Sequence, residues 1–212
     1  MKIIKLKSKH PKTPYALTYD VSIGITSWND NDVDVVRDFL LSIEEEILEH
    51  EISSTGGTGL DSGAVTTRHG RYNVFDYIPQ CPALGKLLSF IQKEYLQFIK
   101  LDNTQKFQVS MGCWFNILRS GNEMLEHRHS TLEKGYLSGN MHFADGTITQ
   151  YRHFDQRLSV PNMRGGLTFF PSYVAHSVDV WTSDKPRVSL AFDLYMTKTK
   201  DTVGPAIIRF IQ

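Results

Sequence analysis

Cysteine is nearly absent: the 212 residues hold two, Cys81 and Cys113. Two thiols make neither a disulfide framework nor a paired-cysteine zinc site. They read as buried thiols of a reducing compartment. An excess of either charge is also missing, since Lys plus Arg and Asp plus Glu each number 23. Gripping duplex nucleic acid by bulk charge needs a basic excess or stripe, and polybasic docking on a membrane needs the same. Neither partner is expected. No run of apolar residues approaches the roughly 18 of a membrane span. The opening MKIIKLKSKHPK is basic but lacks the apolar stretch of a signal peptide. The expected location is the cytoplasm. Internal repeats and low-complexity tracts are missing too, and no shift in composition marks a boundary. Residues 1–212 therefore read as one domain. With 41% hydrophobic and 11% aromatic residues, the chain has the material for one core.

The chain changes character along its length. Residues 1–105 read as N-terminal strand, two supporting helices and a glycine-rich loop. Ser27-Trp28-Asn29-Asp30 supplies cap residues before an apolar-periodic run from Val33 to about Ile52. Glu44-Glu45-Glu46 within it reads as a solvated face. Residues 53–70 (SSTGGTGLDSGAVTTRHG) form a long loop and a candidate lid. Pro82 fits the first turn of a second helix reaching about Lys100, with Leu84, Leu87, Leu88, Ile91, Tyr95 and Phe98 as its buried stripe. Residues 106–198 read as short strands: Phe107–Leu118, Leu137–Phe143, Thr147–Phe154, Gly166–Phe170, Ser177–Trp181 and Val188–Met196. Residues 199–212 read as a C-terminal tail. Helices followed by a run of strands predict a mostly β fold, a barrel or jelly roll braced by flanking helices.

The chemistry concentrates in the strand region. Five of the eight histidines (His127, His129, His142, His153 and His176) fall within residues 127–176. Histidines crowded into a small barrel point to a metal, because neutral imidazole is the commonest ligand for borderline ions. On a strand, residues two apart share a face, so His127 and His129 can aim at one point. Parity turns Glu126 the other way. Arg187 and Ser189 also lie two apart, and a guanidinium fork beside a hydroxyl suits a carboxylate held end-on. His142 and His153 read as hydrogen-bonded or exposed strand residues rather than ligands. Tyr136, Tyr151, Arg152 and Arg157 are candidates to line a substrate entrance.

The pattern Trp114-Phe115-Asn116, His127-Arg128-His129, Leu137-Ser138-Gly139, Phe170-Pro171 with His176, and Arg187-Val188-Ser189 resembles the iron(II)- and 2-oxoglutarate-dependent oxygenases. Within them it is similar to a prolyl-hydroxylase-like branch common in marine bacteria and their phages, where the location would be the host cytoplasm. Thr58-Gly59-Leu60 and Tyr72-Asn73-Val74-Phe75-Asp76 are similar to that branch as well. Ten residues separate His176 from Arg187, as is usual in the superfamily. The resemblance implies a double-stranded β-helix, a cupin-like jelly roll, with the metal inside its open end. It implies His127, His129 and His176 as iron ligands and catalytic residues. Arg187 and Ser189 would bind the far carboxylate of 2-oxoglutarate, and Asn116 would contact the same cosubstrate. The implied activity is a dioxygenase, a hydroxylase that couples oxidative decarboxylation of 2-oxoglutarate to C–H oxidation of a small-molecule or peptide substrate.

One departure stands out. The superfamily's usual site is two histidines and one carboxylate, and here the carboxylate position is His129. Three readings stay open: His129 as a true third ligand, a nearby acid such as Glu126 or Asp155 in its place, or two protein ligands plus water. A neutral imidazole there leaves the site one unit more positive. Two other identities are also compatible with the residues. One is a three-histidine cupin-type enzyme without a keto acid, which would not need Arg187 and Ser189. The other is a non-catalytic metal-binding relative. Nickel and zinc bind such ligands more tightly than iron, so purified protein is prone to carry the wrong metal.

Overall fold

The computed structural model describes residues 1–8, 13–15, 19–50, 66–67, 70–132, 135–196 and 207–211. The expected lid at 53–70 lies outside the described residues apart from Thr66, Thr67 and Gly70, as does Thr58-Gly59-Leu60. Two strands come first, β1 (Lys2–Leu6) and β2 (Val21–Ser27). Helices α1 (Asp32–Ser42) and α2 (Glu44–Leu48) follow, then a 3-10 turn (Val74–Tyr77) and α3 (Pro82–Leu101). The strands after them are β3 (Val109–Leu118), β4 (Met124–His127), β5 (Leu137–His142), β6 (Thr147–His153), β7 (Gln156–Asn162), β8 (Gly166–Pro171), β9 (Ala175–Val178), β10 (Arg187–Met196) and β11 (Ile207–Ile211).

These strands form two antiparallel sheets, a jelly-roll core. The larger runs β1-β2-β8-β5-β10-β3-β11 and the smaller β4-β9-β6-β7. Neighbours far apart in sequence sit side by side, as in β2 beside β8 and β5 beside β10. The expected tail is therefore more than a tail, because Ile207–Ile211 adds the last strand along β3. β7 also escaped the sequence reading. Arg157 and Pro161 mask its short alternation, and only its pairing with β6 reveals it.

The helices follow the periodicity with one break. α3 starts on Pro82 and buries Leu84, Leu87, Ile91, Tyr95 and Phe98, with Leu88 half-buried against the same cluster. The single helix expected from Val33 breaks at Ile43, whose φ of −100° and ψ of 8° leave the helical range. Just before it the Ser42 hydroxyl donates to the Phe39 carbonyl at 2.7 Å, a local bond that competes with the helical ladder. The acidic run is not merely solvated. Glu44 accepts both Arg119 nitrogens at 2.9 and 2.7 Å, and Glu46 accepts the Tyr77 hydroxyl at 2.6 Å.

Alternation on the central strands positions everything else. On β10, Val188, Leu190, Phe192 and Leu194 join one apolar cluster with Val33, Val36 and Leu40 of α1 and the α3 stripe. The intervening residues, Arg187, Ser189, Ala191 and Asp193, point the opposite way. Residues directly opposed across antiparallel strands share that face. Asn116 and His142 flank Ser189, Trp114 and Asn140 flank Ala191, and Gly112 and Ser138 flank Asp193. The large sheet thus shows a greasy face to the helices and a polar face to the small sheet. Both faces are covered, so β3, β5 and almost all of β10 are buried throughout. Gly139 marks how close the packing is. A Cβ there would stand 2.2 Å from the Phe192 ring and 2.6 Å from the Thr168 carbonyl.

Candidate metal centre

His127 and His176 are directly opposed on β4 and β9, and their ring centroids lie 4.3 Å apart. Tyr151 of β6 is the next residue in that row and stacks on His176 at 6.0 Å. His129 lies just past the end of β4, where its backbone N–H donates to the Ser172 carbonyl at 3.0 Å. That tether turns its ring inward, 5.4 Å from His127 and 5.0 Å from His176. One ligand atom from each ring lies within 4.8 Å of the other two.

The hydrogen bonds decide which nitrogen faces the shared point. His127 Nδ1 contacts the Leu125 carbonyl at 2.8 Å, His176 Nδ1 the Val174 carbonyl at 3.2 Å, and His129 Nδ1 the Asp193 carboxylate at 2.6 Å. Each partner is an acceptor, so each Nδ1 carries a proton and Nε2 is the nitrogen left to face a cation. Burial, reinforced by the neighbouring imidazoles, pushes His127 down to about 4 and His176 well below its ordinary value. Both rings are therefore neutral near pH 7 and need shed no proton to bind a cation.

Asp193 is the acid that sequence reasoning missed. Its carboxylate is buried on the polar face of β10. It accepts from His129, from the Ser138 hydroxyl and, at 3.4 Å, from the Tyr195 hydroxyl. The two acids considered from sequence are engaged elsewhere or exposed. Glu126 forms a two-pronged ion pair with Arg152, and Asp155 lies on the exposed turn between β6 and β7. No sequence signal ties Asp193 to His129, 64 residues away; only the register of β10 brings them together.

Farther along the same face, Arg187 is buried to 1% exposure. Its Nη2 lies 3.0 Å from His142 Nδ1, while its Nε and Nη1 have no hydrogen-bond partner among the described residues. No carboxylate pairs with it among the described residues. Loss of hydration alone pulls its pKa down to about 10. Ser189 sits between Asn116 and His142 in the strand register. Asn116 is already engaged, because its side-chain oxygen accepts the Thr67 hydroxyl.

The expected entrance residues separate. Tyr151 is an interior wall and bonds the Thr168 hydroxyl at 2.8 Å; Tyr136 bonds Tyr95 of α3 at 2.8 Å. Arg152 holds Glu126, and Arg157 is exposed. A cavity of about 470 Å³ instead opens beside the β6–β7 turn, lined by Ser8, Tyr15, Tyr19, His153, Phe154 and Asp155.

The donor set fits a divalent metal of the iron or zinc type, since three imidazoles whose Nδ1 atoms are held by acceptors are what such ions take. The orphaned guanidinium fits a carboxylate. No protein-family model matches the sequence, and no curated protein matches it. Solved structures share the fold. A Pseudomonas putida prolyl-4-hydroxylase is 15% identical, with a TM-score of 0.52 over 83% of this chain and 93% of that one. The non-heme, α-ketoglutarate-dependent carbocyclase SnoK of nogalamycin biosynthesis is 13% identical, with a TM-score of 0.56 over 79% and 76%. The epimerase SnoN, solved with Fe3+ and α-ketoglutarate, is 14% identical, with a TM-score of 0.54 over 82% and 78%.

Proposed function

We propose that this chain is an iron(II)- and 2-oxoglutarate-dependent dioxygenase, a hydroxylase acting on a small-molecule or peptide substrate. One observation carries the reading. A three-histidine cluster and a buried guanidinium with no carboxylate partner among the described residues lie inside one jelly roll, on or against one sheet face. The buried guanidinium is costly without a counter-ion, and a keto acid held by a metal at the histidines would supply one. His127, His129 and His176 would hold the metal through Nε2. Arg187 and Ser189 would hold the cosubstrate's far carboxylate. Bound there, iron and 2-oxoglutarate together supply the oxygen-activating chemistry that breaks a C–H bond.

The chain's own contribution is placement. The backbone carbonyls of Leu125 and Val174 and the carboxylate of Asp193 keep three lone pairs aimed inward. Trp114 and Phe170 wall the rings, at 5.5 Å from His129 and 4.7 Å from His176. They keep the space around the ligands apolar. Asn116 contributes to the cosubstrate end through its bond with Thr67. The balanced charge of the chain supports a substrate other than duplex nucleic acid. The two buried, unpaired cysteines support a reducing compartment such as the cytoplasm. Among the described residues no helix is long and apolar enough to cross a membrane.

A three-histidine metal enzyme without a keto acid is the competing reading. His129 in the carboxylate position favours it, and Arg187 opposes it. Anaerobic titration of the iron(II)-loaded protein with 2-oxoglutarate separates the two. The expected result is a saturable visible charge-transfer band, lost at the same keto-acid concentration in Arg187→Ala. Iron-loaded protein that gives no band at saturating 2-oxoglutarate would overturn the proposal.

A further inference from the structure

The turn between β6 and β7 carries a residue that neither the turn nor the core asks for. His153 pairs with Gln156, so Phe154 and Asp155 alone make the connection. Read from sequence, Phe154 ends a strand; the pairing puts it in the turn instead. Its φ is 53°. That is left-handed backbone, where tight hairpin turns keep glycine, asparagine or aspartate, and for a bulky side chain it is strained. The core gains little from the ring, since 59% of the residue is exposed. Strain of this kind persists only where the surroundings hold it, and it clusters where ligands are clamped.

The surroundings here are aromatic. The Phe154 ring stacks on Tyr19 with centroids 5.7 Å apart, and the His153 ring meets it at 4.6 Å and a steep 61°. Tyr15, itself 93% exposed, lines the same cavity of about 470 Å³. That volume is typical of ligand pockets, and so are aromatic walls with a few polar groups, here Ser8 and Gln156. Charges of both signs are close. Asp155 lines the cavity. Burial chiefly, and the Arg128 guanidinium after it, hold His153 below its ordinary pKa, so a positive charge reaches the same wall. The place favours neither a cation nor an anion. A neutral ring that extends the Tyr19–Phe154 stack is the group it suits best. The metal centre is near. On β6 the inward residues Tyr151 and His153 lie two apart on one face, about 7 Å along the strand, and Tyr151 stacks on His176.

We propose that this cavity is a stacking site for an uncharged planar aromatic ring, with Phe154 as its platform, and that the ring belongs to the substrate acted on at the neighbouring metal. The second half rests on the oxygenase reading above; the first rests on the cavity alone.

The test uses zinc-loaded full-length protein with ring-labelled phenylalanine, and two neutral probes: N-acetyltryptophanamide, and N-acetylleucinamide, which has no ring. The NMR signal that vanishes in Phe154→Gly belongs to Phe154. N-acetyltryptophanamide is expected to move it upfield in a saturable way, the mark of a stacked ring. N-acetylleucinamide should bind at least about fivefold more weakly, the worth of an aromatic pair. Phe154→Leu keeps an apolar side chain without the ring and should weaken the tryptophan probe by the same factor. Phe154→Gly should lose binding too, with a Tm equal to or above that of the unsubstituted protein, because glycine accepts the left-handed φ. Equal binding of the two probes, or an unmoved Phe154 signal, would overturn the site. A Tm lower by more than about 4 °C in Phe154→Gly would make the ring a prop for the fold and overturn its role as platform. Indole, the same ring without amides, separates the sources: weaker binding than the tryptophan probe assigns the ring to a peptide, equal binding to a small molecule. In cobalt(II)-loaded protein the bound probe should show paramagnetic shifts that zinc does not give. Their absence with binding intact would detach the ring from the metal and overturn the substrate assignment. A failed 2-oxoglutarate titration, with ring binding and paramagnetic shifts intact, would sink the oxygenase reading alone.

Discussion

At the residue scale the decisive group is Asp193. With His129 as a third imidazole, a metal at this cluster would have no negative charge among its protein ligands. The 2.6 Å contact between His129 Nδ1 and Asp193 sets a carboxylate behind the ring, one imidazole width from the Nε2 that would bind the metal. A carboxylate behind a ligating imidazole orients the ring and raises its basicity. Asp193→Asn keeps the shape and an acceptor oxygen but removes the charge. We expect the fold to survive and cobalt(II) or zinc(II) affinity to fall about 10- to 100-fold, measured by competition with a chromophoric chelator. Unchanged affinity would mean that His129 binds, if at all, without help from Asp193. Ser138 serves the same end less directly, since its hydroxyl holds Asp193 and lies 2.9 Å from the Ser172 hydroxyl.

At the element scale β10 organises the molecule. It pairs with β3 along its whole length and with β5 over Ser189–Leu194. Its two faces do different work. Val188, Leu190, Phe192 and Leu194 pack toward the helices, while Arg187, Ser189 and Asp193 share the opposite face, toward the candidate site. A disturbance on the apolar face should therefore reach the polar one through a single backbone. Gly139 offers the cleanest probe, because Phe192 fills the space its side chain would occupy. Gly139→Ala must push the Phe192 ring or part β5 from β8. Overpacking of this kind costs about 1–3 kcal/mol. The expected result is a lower urea midpoint with an unchanged slope. A midpoint equal to that of the unsubstituted protein would show that Phe192 has room to turn away.

At the scale of the whole molecule, buried neutral histidines make the metal-free protein acid-sensitive. His127, His142 and His176 all have folded-state pKa values below the ordinary 6.5, each chiefly through burial. Between 6.5 and about 4, the unfolded chain takes up protons that the folded chain refuses. Stability is then present above pH 6.5 and lost as pH falls toward and through 4. For the metal-free protein we expect a Tm lower by at least about 5 °C at pH 5 than at pH 7.5. Bound metal should enlarge the gap, because protons and the ion compete for the same Nε2 atoms. A Tm that holds steady or rises on acidification would contradict the buried, neutral state of these rings.

The sequence by itself determined much of this protein. Apolar periodicity placed α3 to within a residue, and the strand pattern placed β3, β5, β6, β8 and β10 to within a few residues, because an element that turns an apolar face to the core carries a period that survives without neighbours. The crowding of histidines marked the region of the site, and spacing two apart singled out His127 with His129 and Arg187 with Ser189. Tertiary structure decided the rest. β11 and β7 exist only through their partners, since neither carries a clean period. Asp193 and His142 read as ordinary strand residues in the chain. Their surroundings come from register, which sets Asp193 behind His129 and His142 across from Ser189. Register is a property of two strands at once, so no single stretch of sequence contains it.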